Sequence, residues 1–119
     1  MNNEPINIYG DGSQTRDFVY VGDVVDNIIS AMQILKHDAH VVNICSGQSV
    51  TINHLAELLA ELFDQPCNKN YQHERPSDAH YSYGSTKKMH EYGFTLQHDL
   101  RHGLIKTIEY FKGKENHGE

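Results

Sequence analysis

At 119 residues, with 38% hydrophobic and 22% charged side chains, the chain has the size and composition of an ordinary globular domain rather than a disordered one. Its 16 acids against 10 Lys and Arg give a formal charge of −6, which argues against a broad nucleic-acid surface, and no run of Lys or Arg makes a local one. No apolar run of about 18 residues and no signal-peptide pattern occurs, so neither membrane spanning nor secretion has support and a cytoplasmic location is expected.

In chain order, Ile6 and Ile8 belong to a short strand. A polar loop with two glycines follows, from Gly10 to Thr15, and then Phe18 to Val21 forms a β-branched and aromatic run that reads as a second strand. Val24, Val25, Ile28, Ile29, Met32 and Leu35 fall at helical spacing, with Asp23 as cap or first-turn acid. The nearly continuous apolar run Val41 to Cys45 suits a strand covered on both faces, and Gly47 breaks it. A second helix carries Ile52, Leu55, Ala56, Leu59, Leu62 and Phe63 on one wide stripe, with Thr51 as its cap and Glu57 and Glu61 on the wet side. Asn68 to Glu74 reads as a strand, 75–83 as a loop, Ser85 to Tyr92 as a short helix stopping at Gly93, and Leu100, Leu104, Ile105, Ile108 and Phe111 as one face of a last helix. The expected class is α/β, mixed α+β, with one domain over residues 1–112 and a polar tail over 113–119.

Chemistry concentrates in the segment Ile8-Tyr9-Gly10-Asp11-Gly12-Ser13-Gln14-Thr15-Arg16-Asp17. Glycines let a backbone turn at positive φ and approach a ligand closely, and Arg16 offers a planar fork of donors suited to phosphate oxygens. Other residue patterns are weaker. Cys45 and Cys67 follow no metal-site spacing and are expected as reduced thiols, although spacing alone leaves a disulfide open. The nine histidines show no H-E-x-x-H pattern; His98 and His102, four apart, are the pair best placed for adventitious metal, and no metal site is assigned. Tyr83-Gly84-Ser85-Thr86-Lys87 matches Y-x-x-x-K literally, but a surface helix start is the plainer reading of it.

The segment from Ile8 to Val25 resembles the substrate-domain signature of the extended short-chain dehydrogenase/reductase family, the NAD-dependent nucleotide-sugar epimerases, dehydratases and decarboxylases. The similarity extends through Asn43-Ile44-Cys45-Ser46-Gly47, Val50-Thr51-Ile52-Asn53-His54-Leu55-Ala56, Arg75-Pro76-Ser77-Asp78, Tyr92-Gly93-Phe94 and Gly103-Leu104, from about Pro5 to Phe111. Three positions depart from the family pattern. Ser77 replaces a glycine, Cys45 replaces a glycine common after the strand, and Gly84-Ser85 stands where Ala-Asp is usual, with Ser85 able to cap a helix as Asp does.

The resemblance implies a substrate-binding, C-terminal portion of such an enzyme without its N-terminal Rossmann domain. Tyr9 would lie against the pyrimidine, the backbone of Asn7 and Tyr9 would bond its edge, Arg16 and Arg75 would grip the diphosphate, Asp78 would accept from a ribose hydroxyl, and Gln14 would reach the phosphates or sugar. It also implies NAD in the full-length enzyme, bound through a G-x-x-G-x-x-G loop, and proton transfer by a Y-x-x-x-K pair on a long helix. This chain has no such glycine loop, so no catalytic or cofactor-binding residue is assigned and none of the NAD is expected to be bound here.

Whether it acts as an enzyme, isomerase or lyase, is therefore left open. The expected function is binding of a UDP- or dTDP-sugar. The alternatives are a stand-alone binding or interaction module and a truncated remnant. The helix from Asp23 and the run Val41 to Cys45 would lean on the absent domain, so their apolar surface is expected to lie bare and to drive self-association or contact with a separate Rossmann partner.

Overall fold

Parallel strands cannot be joined by a tight turn, and the first pairing in this chain accordingly spans most of its first half. In the computed structural model, which describes residues 4–35 and 37–115, β1 (Ile6–Tyr9) pairs in parallel with a strand some 60 residues on, Lys69–Gln72, in the register Ile6 to Lys69 through Tyr9 to Gln72. Between them run β2 (Thr15–Asp17), α1 (Val21–Ile34), β3 (Ser49–Thr51) and α2 (Ile52–Leu62), so the Lys69–Gln72 strand is β4; α3 (Lys87–Glu91) and α4 (Leu100–Glu115) follow. β2 and β3 pair antiparallel, Thr15 opposite Thr51 and Asp17 opposite Ser49. The expected mixed α/β class is the one observed.

The chain divides into two compact units. One comprises residues 4–17 and 48–83, the other residues 18–35, 37–47 and 84–115.

The first unit holds both strand pairs and α2. Ile8, 2% exposed, is its most buried side chain, and Ala56 and Ala60, four apart, are the small residues through which α2 packs closely. Thr51 caps α2 as expected, its hydroxyl accepting from the His54 amide at 3.1 Å. Glu57 and Glu61 are exposed, as the stripe required, and Glu57 takes an ion pair from Lys69 at 2.6 Å that raises the lysine's pKa and lowers the acid's.

The second unit has Met89 and Phe94, each 2% exposed, as its core, and they meet where α3 ends: Gly93 takes φ 79° and the Phe94 amide bonds the Met89 carbonyl at 3.0 Å. Helix α1 leaves its apolar stripe bare, as expected of a helix that leans on a part not present in this chain. Its buried residues are the polar Asp23 and Asn27, while Val25, Ile28, Ile29 and Met32 of the apolar stripe are exposed. Asp23 is a first-turn acid rather than a cap, and its carboxylate accepts from the His98 amide at 3.0 Å and from His98 Nδ1 at 2.8 Å. Asn27 donates to the carbonyls of Asp23 and Thr95. Burial pushes the Asp23 carboxyl up, but the hydrogen bonds from His98 outweigh it and leave the pKa below its ordinary value.

Several sequence expectations are corrected. The strand read over Phe18 to Val21 lies earlier, at Thr15–Asp17, because β3 offers its backbone there, and α1 has begun by Val21. Val41 to Cys45 is not a strand: among the described strands none pairs with it, and an apolar run without a ladder partner has no hydrogen-bond reason to be one. Ser85 does not cap α3, whose N-cap is Thr86 with no side-chain bond. Phe111 is 61% exposed rather than part of the buried face of α4, and α4 continues through Gly113 to Glu115; the rest of the expected tail, 116–119, lies outside the described residues.

Candidate functional site

The free edge of β1 begins the site. The amides of Ile6 and Gly10 donate toward the β4 side, to the carbonyls of Asn68 and Gln72, and strand alternation therefore turns the backbone of Asn7 and Tyr9 to the opposite edge. The Tyr9 carbonyl meets Gln14 Nε2 there at 2.7 Å, so Gln14 fastens the loop to the strand it left. The Asn7 side chain accepts from Asn70 on β4 at 2.9 Å.

Gly10 and Gly12 take φ of 82° and 77°, the left-handed region that the glycine reading required. At Gly12 a side chain would run into Asn53, whose own groups clamp the loop: its amide donates to the Gly12 carbonyl at 3.0 Å and its Nδ2 to the Asp11 carbonyl at 2.9 Å, while Tyr71 donates to its Oδ1. Asp11 closes the turn by accepting from the Ser13 hydroxyl and amide, and these bonds hold its carboxyl below the usual range. Neither Asn53 nor Tyr71 was singled out as a site residue by sequence; Asn53, two residues after the capping Thr51, was legible only as part of a helix start.

The two arginines and Asp78 come together around this loop. Arg16 donates through Nη2 to the Asp78 carboxylate and through Nη1 to the carbonyls of Thr15 and Ala79, tying β2 to the loop after Pro76. Its carboxylate partner is thus Asp78, 62 residues on. The Arg75 guanidinium lies 3.8 Å from the centroid of the Tyr9 ring. Ser77 holds φ 70°, so the loop keeps the left-handed turn that a glycine would make without strain.

Tyr9, Gln14 and Asp78 line a cavity of about 180 Å³ together with Glu74 and His80, which sequence did not assign to the site. Arg16 and Arg75 stand beside it through the bond to Asp78 and the stacking on Tyr9, whereas the Asn7 side chain turns to Asn70 and is not among the lining residues. An aromatic face, an outward backbone edge and two planar cations around one cleft can take a flat heterocycle joined to an anion.

The remaining sequence patterns do not form sites. Tyr83 lies outside any helix and α3 is five residues long, so the Y-x-x-x-K match lacks the continuous helix that pairing on one face needs. His98 and His102 do not form a helical pair: His98 precedes α4 and serves Asp23, and His102 bonds Asp99 at 2.8 Å. Cys45 and Cys67 are free of any disulfide. Among the described residues no group of three or more His, Cys, Asp or Glu is arranged to hold a metal, and no helix is long and apolar enough to cross a membrane. The residues present do not fit NAD either. Dinucleotide phosphates sit where a glycine loop opens a helix, whereas the loop from Gly10 leads from β1 into β2.

Known proteins share both sequence and fold. Residues 1–45 match the NAD dependent epimerase/dehydratase family. A putative UDP-glucose 4-epimerase of Methanocaldococcus jannaschii is 32% identical over 111 residues, which make 93% of this chain and 35% of that protein. The crystal structure of UDP-glucose 4-epimerase with UDP-glucose from Thermotoga maritima superimposes with a TM-score of 0.86 at 37% identity, covering 93% of this chain and 36% of that one. The structure of MoeE5 in complex with UDP-glucuronic acid and NAD gives 0.84 at 33% identity, covering 96% and 38%. The chain is thus similar, over most of its own length, to NAD-dependent epimerases and dehydratases, and it spans about a third of the length of the relatives it matches.

Proposed function

We propose that this chain is the substrate-binding portion of an NAD-dependent nucleotide-sugar epimerase or dehydratase, that it takes a UDP- or dTDP-sugar in the cleft beside β1, and that it has no turnover by itself. The observation that carries this reading is the Arg16, Asp78, Arg75 and Tyr9 cluster against the outward edge of β1. Tyr9 meets the base. The backbone of Asn7 and Tyr9 bonds its edge, as flat bases are read by paired donors and acceptors. Arg16 and Arg75 hold the diphosphate through charge-assisted bonds, roughly twice as strong as neutral ones, Asp78 accepts from the ribose, and Gln14 keeps the loop closed under the phosphates.

In this reading Arg16 and Asp78 satisfy one another until the nucleotide arrives, and the ligand exchanges one charge-assisted bond for others. NAD held by the cofactor-bearing portion would supply the redox chemistry; the residues of this chain bind, orient and select the sugar nucleotide. The apolar stripe of α1, exposed at Ile28, Ile29 and Met32, is the seat of the cofactor-bearing portion, present in the same polypeptide or as a separate chain.

Calorimetric titration with UDP, dTDP and UDP-glucose tests the proposal. Binding is expected for at least one pyrimidine diphosphate, weakened about 30-fold or more by Arg16→Ala, since loss of a buried charge-assisted contact is worth about 2 kcal/mol or more. No heat with any of the three, from protein whose fold is intact by circular dichroism, would refute it.

A further inference from the structure

The charge balance of the cleft assigns a role to His80. Three carboxylates, Asp11, Glu74 and Asp78, line the cavity, and the cations at hand are the guanidiniums of Arg16, tied to Asp78, and Arg75, on the Tyr9 ring. Three acids against two cations leave the cleft one unit negative, and a sugar nucleotide brings about two more negative charges. One further cation at the rim removes that imbalance, and among the lining residues the side chain able to become one is His80.

Its position suits the task. The His80 carbonyl accepts from the Thr15 amide at 2.8 Å, which pins the residue to the start of β2, directly after the glycine loop. Its Nε2 lies 3.0 Å from Glu74 Oε1, and its charge also acts on Asp11 across the cavity. The ring faces Tyr81 at 6.5 Å, a neutral neighbour. The side chain is 64% exposed, free to turn toward an entering anion.

We propose that His80 is a phosphate-positioning residue whose charge sets the affinity of this cleft: protonated, it neutralises Glu74 and offers a third cation to the diphosphate, so that nucleotide sugars bind more tightly in mildly acid than in mildly alkaline solution. The proposal rests on the nucleotide-sugar reading of the site and adds a determinant to it. Histidine is the side chain whose charge changes between about pH 5 and 8, and protonation strengthens anion binding, so affinity rises as pH falls.

The test is titration of the whole chain with UDP-glucose at about pH 6 and about pH 8, the ends of the histidine range. UDP-glucose is the probe because its diphosphate is esterified at both ends and keeps a constant charge over this range. Affinity is expected to rise on the order of fivefold from the alkaline to the acid condition, the size of one unit charge about 4 Å away in a water-rich cleft. His80→Gln should bind as the unaltered chain does at alkaline pH and lose the pH dependence. Glu74→Gln should tighten binding at alkaline pH by a similar factor. A His80→Gln chain that keeps the full pH dependence while Arg16→Ala still weakens binding overturns the role of His80 and leaves the site reading intact. Absence of binding at both pH values, with the fold intact, overturns both.

Discussion

The two units of this chain treat polarity in opposite ways. The first keeps its charges around an open cleft: Arg16, Asp78, Asp11, Glu74 and His80 stand at or beside a cavity, fixed by backbone carbonyls and a glycine loop. The second buries its polar groups, with Asp23 1% and Asn27 5% exposed, and leaves Val25, Ile28, Ile29 and Met32 of the same helix in solvent. Charges at a concave surface with their bonds made serve a small polar ligand. An amphipathic helix whose apolar stripe faces out has its hydrophobic partner outside the unit. One region thus gathers its charges at a concavity, the other leaves an apolar stripe in solvent, and the proposed function gives each a role.

Breaking the buried polar network of the second unit should give the largest effect. Asp23→Ala removes the acceptor of the His98 amide and of His98 Nδ1 from a largely buried network, and donors left unsatisfied there are costly, so a loss of about 3 kcal/mol is expected in urea unfolding. A loss under about 1 kcal/mol would mean that water replaces the carboxylate and that the network is incidental. The same residue gives a pH dependence of defined sign. Its carboxyl pKa is lower folded than unfolded, so the folded state binds fewer protons; the stabilisation is present above the ordinary carboxylate range and fades as pH falls below about 4. Asp23→Asn should flatten that acid limb.

Next in size is the contact between Cys45 and Gly84, two of the positions that depart from the family pattern. A β-carbon on Gly84 would sit 2.6 Å from Cys45 Sγ and 2.7 Å from its Cβ. Cys45 is buried, so Gly84→Ala should cost about 2 kcal/mol through overpacking. In the doubly substituted chain Cys45→Gly/Gly84→Ala the clash is gone, and a coupling of about 1 kcal/mol or more between the two changes is expected. Additive losses would show that the two departures are independent. Read this way, the unusual cysteine and the unusual glycine are one feature: the extra volume at 45 occupies the space vacated at 84.

Much of this was legible in the sequence where local chemistry decides the structure. The Thr51 cap, the stop at Gly93, the positive φ at Gly10 and Gly12 and the strands at Ile6–Tyr9 and Lys69–Gln72 follow from residue type and spacing. The grouping of Tyr9, Arg75, Arg16 and Asp78 was legible too, although only through the resemblance of two motifs far apart in the chain. What sequence did not give depends on tertiary partners. Periodicity says only that α1 has an apolar stripe; that the stripe lies bare was expected through the resemblance, while the burial of Asp23 and Asn27 on its other side carried no signal. Val41 to Cys45 has strand composition without a strand to pair with. Glu74 and His80 carry no motif, and they matter because the loop after β4 folds back beside β1.

A smaller effect is expected at Ser77, where a non-glycine residue holds φ 70° in the loop that presents Asp78. The left-handed region costs an L-residue on the order of 1 kcal/mol, part of which glycine loses again to its larger unfolded-state entropy. Ser77→Gly should therefore stabilise the first unit by about 0.5 kcal/mol, seen as a rise in the urea midpoint with unchanged slope. Destabilisation would show that the serine side chain holds the turn through bonds of its own.

The smallest effect on stability, and the sharpest test of the contrast between the units, lies on α1. Ile28 and Met32, 53% and 77% exposed and four residues apart, share the outward stripe. Replacing both with Glu removes no buried contact, so stability should change by no more than about 0.5 kcal/mol. Association should change far more. An apolar stripe left in solvent is expected to drive the unaltered chain into dimers or larger species at high concentration, and two carboxylates on it oppose that by desolvation and repulsion. Sedimentation velocity over a range of concentrations should thus show self-association that the double substitution abolishes while UDP-glucose binding in the first unit is retained. A compact monomer for the unaltered chain at every concentration would mean that the exposed stripe is tolerated without a cover, and the division of labour between a recognising unit and a covered one would no longer hold.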